Sequence, residues 1–161
     1  TKDAEDIKVE SGYAKQLLAD PDTQVEVPGL GDRAPRMLSK QALAGVIEPR
    51  IEEIYSLVQQ VIRESGYEEV LSSGIVITGG SAVMPGMVEL GEDIFLKPVR
   101  RGIPRYNSAL SDMVAQARAA TVMGLLEEAR MARMRGYKVS QKAGSVHNAF
   151  GKVKDWFVGN F

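Results

Sequence analysis

Residues 74–86 read GIVITGGSAVMPG, and the order of residue types in that stretch sets the architecture. Ile75, Val76 and Ile77 form a short unbroken apolar run, which fits a strand buried on both faces. Gly79 and Gly80 follow; glycine takes positive φ without steric penalty and lets the backbone come close to a ligand. Ser81 adds a hydroxyl. Pro85 stands near the start of a helix predicted through MVELGEDIFLK (87–97), whose first N–H groups would point back at the same corner. Strand, paired glycines and helix in that order can cradle a phosphate. Such a corner is more often a tight turn, and the stretch holds neither the Gly-Lys-Ser/Thr of a Walker A loop nor the GxGxxG of a dinucleotide site.

Working outward, AEDIKVESGYAKQLL (4–18) sets Ala4, Ile7, Ala14, Leu17 and Leu18 near one helical face, predicting a helix from about residue 3 that ends before DPDT (20–23). Val25 and Val27 alternate with polar residues before PGLGD (28–32), predicting two short strands around a turn, with Pro28 and Pro35 confining them to edges. Ser39 is placed to cap a helix over KQALAGVI. Pro49 either interrupts that helix or begins a new one. Beyond it Ile51, Ile54, Tyr55, Val58, Val61 and Ile62 form an amphipathic stripe that stops at Gly66. Downstream, PVRRGIP (98–104) fits one more short strand or an extended loop. A last body helix over about 109–131 would carry Leu110, Val114, Ala117, Thr121 and Leu125 on one row. The order β–β–α–β–loop–α–β–α gives an α/β or α+β layered fold, with helices packed on sheet.

At 161 residues, 44% hydrophobic and 25% charged, the chain fits one ordinary domain with a real core. It has no cysteine, which removes disulfide and thiolate chemistry and fits a reducing interior. Its one histidine, His147, argues against a zinc site or a histidine-based triad. No apolar run reaches the about 18 residues of a membrane span, and no signal peptide is evident. The chain opens TKDAEDIK without Met, so its start reads as a cut. Charge is asymmetric: residues 1–129 hold 13 Lys+Arg against 20 Asp+Glu, whereas 130–161 hold seven against Asp155 alone. An acidic body with a basic tail points the tail at something anionic, or leaves it as a solvated extension.

The ending SVHNAFGKVKDWFVGNF (145–161) contains Phe150, Trp156, Phe157 and Phe161. On a helix, Val146, Phe150, Val153, Phe157 and either Asn160 or Phe161 share a face, Trp156 flanks Val153, and Lys152 and Lys154 project beside the stripe. GYKVSQKAGS (136–145) before it has no periodicity and reads as a basic linker. Such a segment suits a membrane interface, with the apolar face in the acyl boundary and the lysines on anionic lipid. Each buried large side chain gives about 1.5–3 kcal/mol, each basic residue about 1 kcal/mol, and ordering the backbone costs about 1–2 kcal/mol per residue. One copy should therefore bind reversibly and many copies together tightly. The alternatives are packing on its own domain or on a partner protein.

GIVITGGSAVMPG resembles the second phosphate loop of the actin/Hsp70/sugar-kinase superfamily. AEDIKVESGYA resembles the segment in which a Glu, and a Lys three residues later, reach ribose and adenine; those positions match Glu5 and Lys8. VEVPGLGDRAPRMLSKQALAGVIEPRIEEI and the amphipathic ending narrow the resemblance, over residues 3–161, to the FtsA family.

What this implies is the second lobe of an actin-like ATPase fold with a C-terminal amphipathic helix. Residues 1–131 would form the lobe, with about 20–66 an outer subdomain, about 67–131 a nucleotide-binding subdomain and 1–19 joining them; 132–144 would be a flexible basic linker and 145–161 the membrane-targeting helix. The resemblance implies ATP with magnesium as ligand, Gly79, Gly80 and Ser81 on phosphate, and Glu5 and Lys8 on the nucleoside. The family often has a third Gly where Ser81 stands, and the backbone contribution should survive that change. Binding should be weak here, and no catalytic residue or protein metal ligand is expected, since the first lobe is missing. Read without the resemblance, Glu5 and Lys8 are an ordinary surface helix pair.

The resemblance further implies docking of the FtsZ C-terminal peptide, or self-interaction, at Arg36, Lys40 and Arg50, with Lys40 one helical turn from Arg36. Arginine grips carboxylates bidentately, although Lys40 equally fits a solvated face. Partners would be FtsZ, anionic lipid, further copies and other divisome proteins, not nucleic acid. The location would be the cytoplasmic side of the bacterial membrane at the division site, and the role to anchor the FtsZ ring while polymerising with ATP. The rival readings are the C-terminal half of an ATP-dependent sugar or acetate kinase and another actin-like, shape-determining filament protein.

Overall fold

The structure is a computed structural model that describes residues 2–29, 31, 33–105 and 114–136. It divides into two compact units, Thr1–Met123 and Gly124–Phe161. The elements in order are α1 (Lys2–Ser11), β1 (Gln24–Val27), β2 (Arg36–Ser39), α2 (Lys40–Glu64), β3 (Ile75–Ile77), α3 (Met87–Phe95), β4 (Val99–Arg101) and α4 (Ala120–Met134). Helix and sheet are mixed, as the sequence predicts.

β1 and β2 pair antiparallel around the proline- and glycine-rich turn, with Val27 opposite Arg36 and Gln24 opposite Ser39. Ser39 ends the strand and caps α2, its Oγ accepting from the Ala42 N–H at 3.1 Å. α2 runs unbroken through Pro49, closing both alternatives left at that residue. A proline inside a helix costs about 3 kcal/mol; here Ile47, Ile51 and Tyr55, on both sides of it, pack into one core and hold the two halves in line. The helix ends at a Ser65 cap followed by Gly66 at φ 73°.

β3 and β4 pair in parallel, Ile75 with Val99 and Ile77 with Arg101, and α3 makes the crossover. Tyr55, Met84, Met87, Leu90, Phe95 and Val99 form the core with Ala14. The Tyr55 and Phe95 rings lie 5.1 Å apart, tilted by 44°. The Tyr55 hydroxyl donates to the Met87 carbonyl at 3.1 Å, and burial raises its pKa above the usual phenol value.

Several expectations are corrected. The first helix stops at Ser11 instead of running toward residue 19, because the Ala14 N–H leaves the helical ladder for the Pro85 carbonyl at 2.8 Å. A short 3-10 turn over Gln16–Leu18 follows, and Leu17 is exposed. The run at 75–77 is not buried on both faces: its sheet has two strands among the described residues, and Val76 is 49% exposed. On α2 the buried positions are Ala44, Tyr55 and Gln59, while Ile54, Val58 and Val61 of the predicted stripe lie exposed. The predicted helix over 109–131 is broken, with Gln116 extended, a 3-10 turn at Ala117–Ala119 and α4 only from Ala120. The Ala117 carbonyl accepts from the Gly79 N–H at 3.0 Å, which pins this stretch to the end of β3.

In the second unit, the described residues of α4 carry an ion pair in which Arg130 holds the Glu127 carboxyl below its usual range by hydrogen bonding. No helix among the described residues is long and apolar enough to cross a membrane. The residues predicted to face a membrane, Val146, Phe150, Lys152, Val153, Lys154, Trp156, Phe157 and Phe161, lie outside the described residues, as does the predicted linker from residue 137 on.

Candidate functional site

The backbone at the end of β3 builds one wall of a cleft. Thr78 Oγ1 donates to the Gly102 carbonyl at 3.0 Å, tying this corner to the end of β4. Gly79 then turns the chain at φ 100°, a conformation that a side chain would oppose. Gly80 is helical at φ −61°, ψ −46°, and leads into a 3-10 turn over Ser81–Val83. Nothing lies within 4 Å of where a Cβ on Gly80 would stand, so the backbone there is open to approach.

The helix expected directly behind the glycines begins later. α3 starts at Met87 after Pro85 and Gly86, so the N–H groups at this corner come from the turn. Val83 N–H returns to the Gly80 carbonyl at 3.3 Å and Met84 N–H to the Ser81 carbonyl at 3.1 Å. No acceptor among the described residues takes the N–H of Gly80, Ser81 or Ala82. Three successive backbone donors without carbonyl partners suit an anion.

Opposite stands α1. The cleft encloses about 370 Å³ between Glu5, Lys8, Val9 and Gly12 on one side and Gly80, Ser81, Val83, Met84 and Pro85 on the other, with Arg118 also on its wall. That volume lies in the range of small-ligand sites, roughly 300–1,000 Å³. Lys8 Nζ donates to Glu5 Oε2 at 2.5 Å, so the two are a helix pair and also line the cleft. Glu5, Lys8, Gly80 and Ser81 are thus brought together from distant parts of the chain. Gly79 is the exception among the predicted ligand residues: it does not line the cleft, and its N–H is held by Ala117.

Arg118 escaped the sequence reading, which placed it inside a continuous helix. The extended Gln116 and the bond from Gly79 to Ala117 set it beside the glycine turn. It has no ion pair among the described residues. No spacing or motif marks it. Arg118 puts a positive charge beside the backbone donors of the turn, while Lys8 across the cleft is paired with Glu5; the arginine and the turn N–H groups are a donor set that fits phosphate.

Arg36, Lys40 and Arg50 are not gathered in one place. Arg36 lines a second cleft of about 300 Å³ with Asp3, Ile7, Val27, Pro28 and Arg33. Lys40 is not one helical turn from Arg36, because residues 36–39 are an extended strand that advances about 3.3 Å per residue. Its ammonium sits over the Tyr13 ring, 5.9 Å from the centroid. Arg50 is exposed on α2 and pairs with Glu53. Among the described residues no group of three or more His, Cys, Asp or Glu could hold a metal ion.

Residues 1–124 match the family model "Cell division protein FtsA". The chain is similar to the cell division protein FtsA of Pseudomonas aeruginosa, 41% identical over 100% of this chain and 40% of that protein. It is also similar to those of Neisseria meningitidis, at 38% identity over 98% and 39%, and of Escherichia coli K12, at 34% over 99% and 40%. The chain therefore spans about 40% of the length of these relatives.

Proposed function

The chain belongs to the FtsA family of bacterial cell-division proteins, whose fold is actin-like, and from that premise we propose that its cleft is one half of an adenine-nucleotide site. Glu5 and Lys8 take the nucleoside, while Gly80 and Ser81 take phosphate oxygens through their backbone N–H groups. Gly79 acts as the hinge that aims them. The convergence of α1 with the turn after β3 in one cleft carries this reading. ATP supplies the switch between assembled and free states of a filament, and magnesium enters as the nucleotide's counter-ion. Hydrolysis would need groups beyond this chain.

The wider role follows from the same premise. The protein ties the FtsZ ring to the cytoplasmic face of the membrane, with residues 145–161 as a weak interfacial anchor that becomes strong when many copies assemble. Arg36 and Arg50 offer cations to the acidic FtsZ tail peptide or to another copy. Lys40, occupied with Tyr13, is the weaker candidate. Two experiments test these proposals. Calorimetric titration of this chain with ATP should give weak binding, and nanomolar affinity would refute the half-site. Flotation with anionic vesicles should be lost in Trp156→Glu and Phe157→Glu; retention in both sinks the anchor.

A further inference from the structure

We infer that Arg101 is a positioning residue for the phosphate-facing turn. It ends β4, directly opposite Ile77 in the parallel register. From there its Nε–H donates to the Ala82 carbonyl at 2.6 Å and Nη2 reaches the Val83 carbonyl at 3.4 Å. The turn it grips holds itself weakly: its internal bonds are 3.3 and 3.1 Å, and a single 3-10 turn has poor hydrogen-bond geometry. Bonds from a charged donor are about twice as strong as neutral ones.

The direction of the grip is what matters. In a helical turn of planar trans peptides all carbonyls point toward the C-terminal end and all N–H groups toward the other. The Ala82 carbonyl shares its peptide plane with the Val83 N–H, which bonds the Gly80 carbonyl in the plane of the Ser81 N–H. The Val83 carbonyl reaches the Ala82 N–H in the same way through Met84 and Ser81, so the grip fixes the aim of the Ser81 and Ala82 donors. One planar guanidinium reaches two carbonyls at once, which an ammonium on a flexible stem does poorly. Arg101 does not line the cleft, so it acts through the turn and not on the ligand. This inference rests on the nucleotide reading of that cleft.

The test compares the chain with Arg101→Ala and Arg101→Lys by NMR, following the amides of Gly80, Ser81 and Ala82 during titration with ATP and, separately, with adenosine. Arg101→Ala should weaken ATP binding about three- to tenfold, the effect of losing a typical net hydrogen bond. Adenosine affinity should not change. Without ligand, the Val83 and Met84 amides should exchange faster, and Arg101→Lys should recover only part of either effect. No ATP-dependent shift in the unsubstituted chain sinks the nucleotide reading and this inference with it. A shift that Arg101→Ala leaves intact, or full recovery by Arg101→Lys, sinks the inference alone.

Discussion

Gly79 and Gly80 are neighbours with opposite structural demands, so replacing each by alanine gives a sharp test of how this corner is built. Gly79 sits at φ 100°, well outside the left-handed region that L-residues visit. Forcing alanine there should cost about 1–3 kcal/mol, although nothing lies within 4 Å of the new Cβ, so strain and not collision is the cause. Gly80 is already helical, with open space at its Cβ position. Alanine there should stabilise by about 0.4–1 kcal/mol, by narrowing the unfolded ensemble. The two variants should thus differ by about 1.5–4 kcal/mol in the same direction under any denaturant. Urea unfolding followed by circular dichroism reads this as separated midpoints with similar slopes. The two substitutions should also part company on function: Gly80→Ala keeps the fold but sets a methyl group where phosphate approaches, so it lowers ATP affinity. If Gly79→Ala unfolds at the same urea concentration as the unsubstituted chain, the positive φ is not a native requirement and the reasoning fails.

Three further outcomes follow from the same geometry. Arg118→Ala should lower ATP affinity several-fold, with weaker salt dependence and unchanged adenosine affinity; equal losses for both ligands in titration would show that it shapes the cleft and does not meet charge. Lys15 Nζ donates to Asp93 Oδ2 at 2.5 Å, and this bond raises the lysine above its ordinary value of 10.5. The folded value exceeds the unfolded one, so the stabilisation is complete below pH 10.5 and fades as pH rises through the folded value. Asp93→Asn should therefore lower stability at neutral pH and converge with the parent chain in strong alkali; a constant deficit across that range would contradict the assignment. Arg50→Glu should weaken capture of an acidic FtsZ tail peptide while moving the melting temperature little, because an exposed helical ion pair contributes only about 0.3–0.5 kcal/mol. Unfolding of this variant would make Arg50 structural.

The features legible in the sequence are those whose cause lies within a few residues. The turn between Val27 and Arg36, the Ser39 cap and the Gly66 stop each act on near neighbours, and each stands where the pattern puts it. Legibility fails where a distant group intervenes. Helix α1 ends at Ser11 because Pro85 supplies an acceptor for Ala14. The helical row through Ala117 breaks at Gln116 because Gly79 supplies a donor. Periodicity cannot register either partner. Val76 looks doubly buried as a residue type, but its burial depends on how many strands flank it. For the cleft, residue pattern alone left the glycine corner undecided and read Glu5 and Lys8 as a surface helix pair, and only the family resemblance joined them. Arg118 stayed invisible because helical periodicity assigned it to a regular face.

The bond from Ala14 to Pro85 also sets an order of events. The short segment after α1 is fastened three times: Ala14 N–H to Pro85, Lys15 to Asp93, and the Gln16 N–H to the Glu48 carboxylate at 2.7 Å. All three anchors lie later in the chain than the segment they hold. A ribosome adds roughly 5–20 residues per second, so α1 emerges seconds before Pro85 and Asp93 exist to receive it. Glu5 and Lys8 travel with that waiting helix. The β1–β2 hairpin and α2 can assemble from contacts already in hand, whereas the cleft wall formed by residues 80–85 and Arg118 is made only later in the chain. The segment after α1 is therefore fastened late, once the chain through Asp93 has been made.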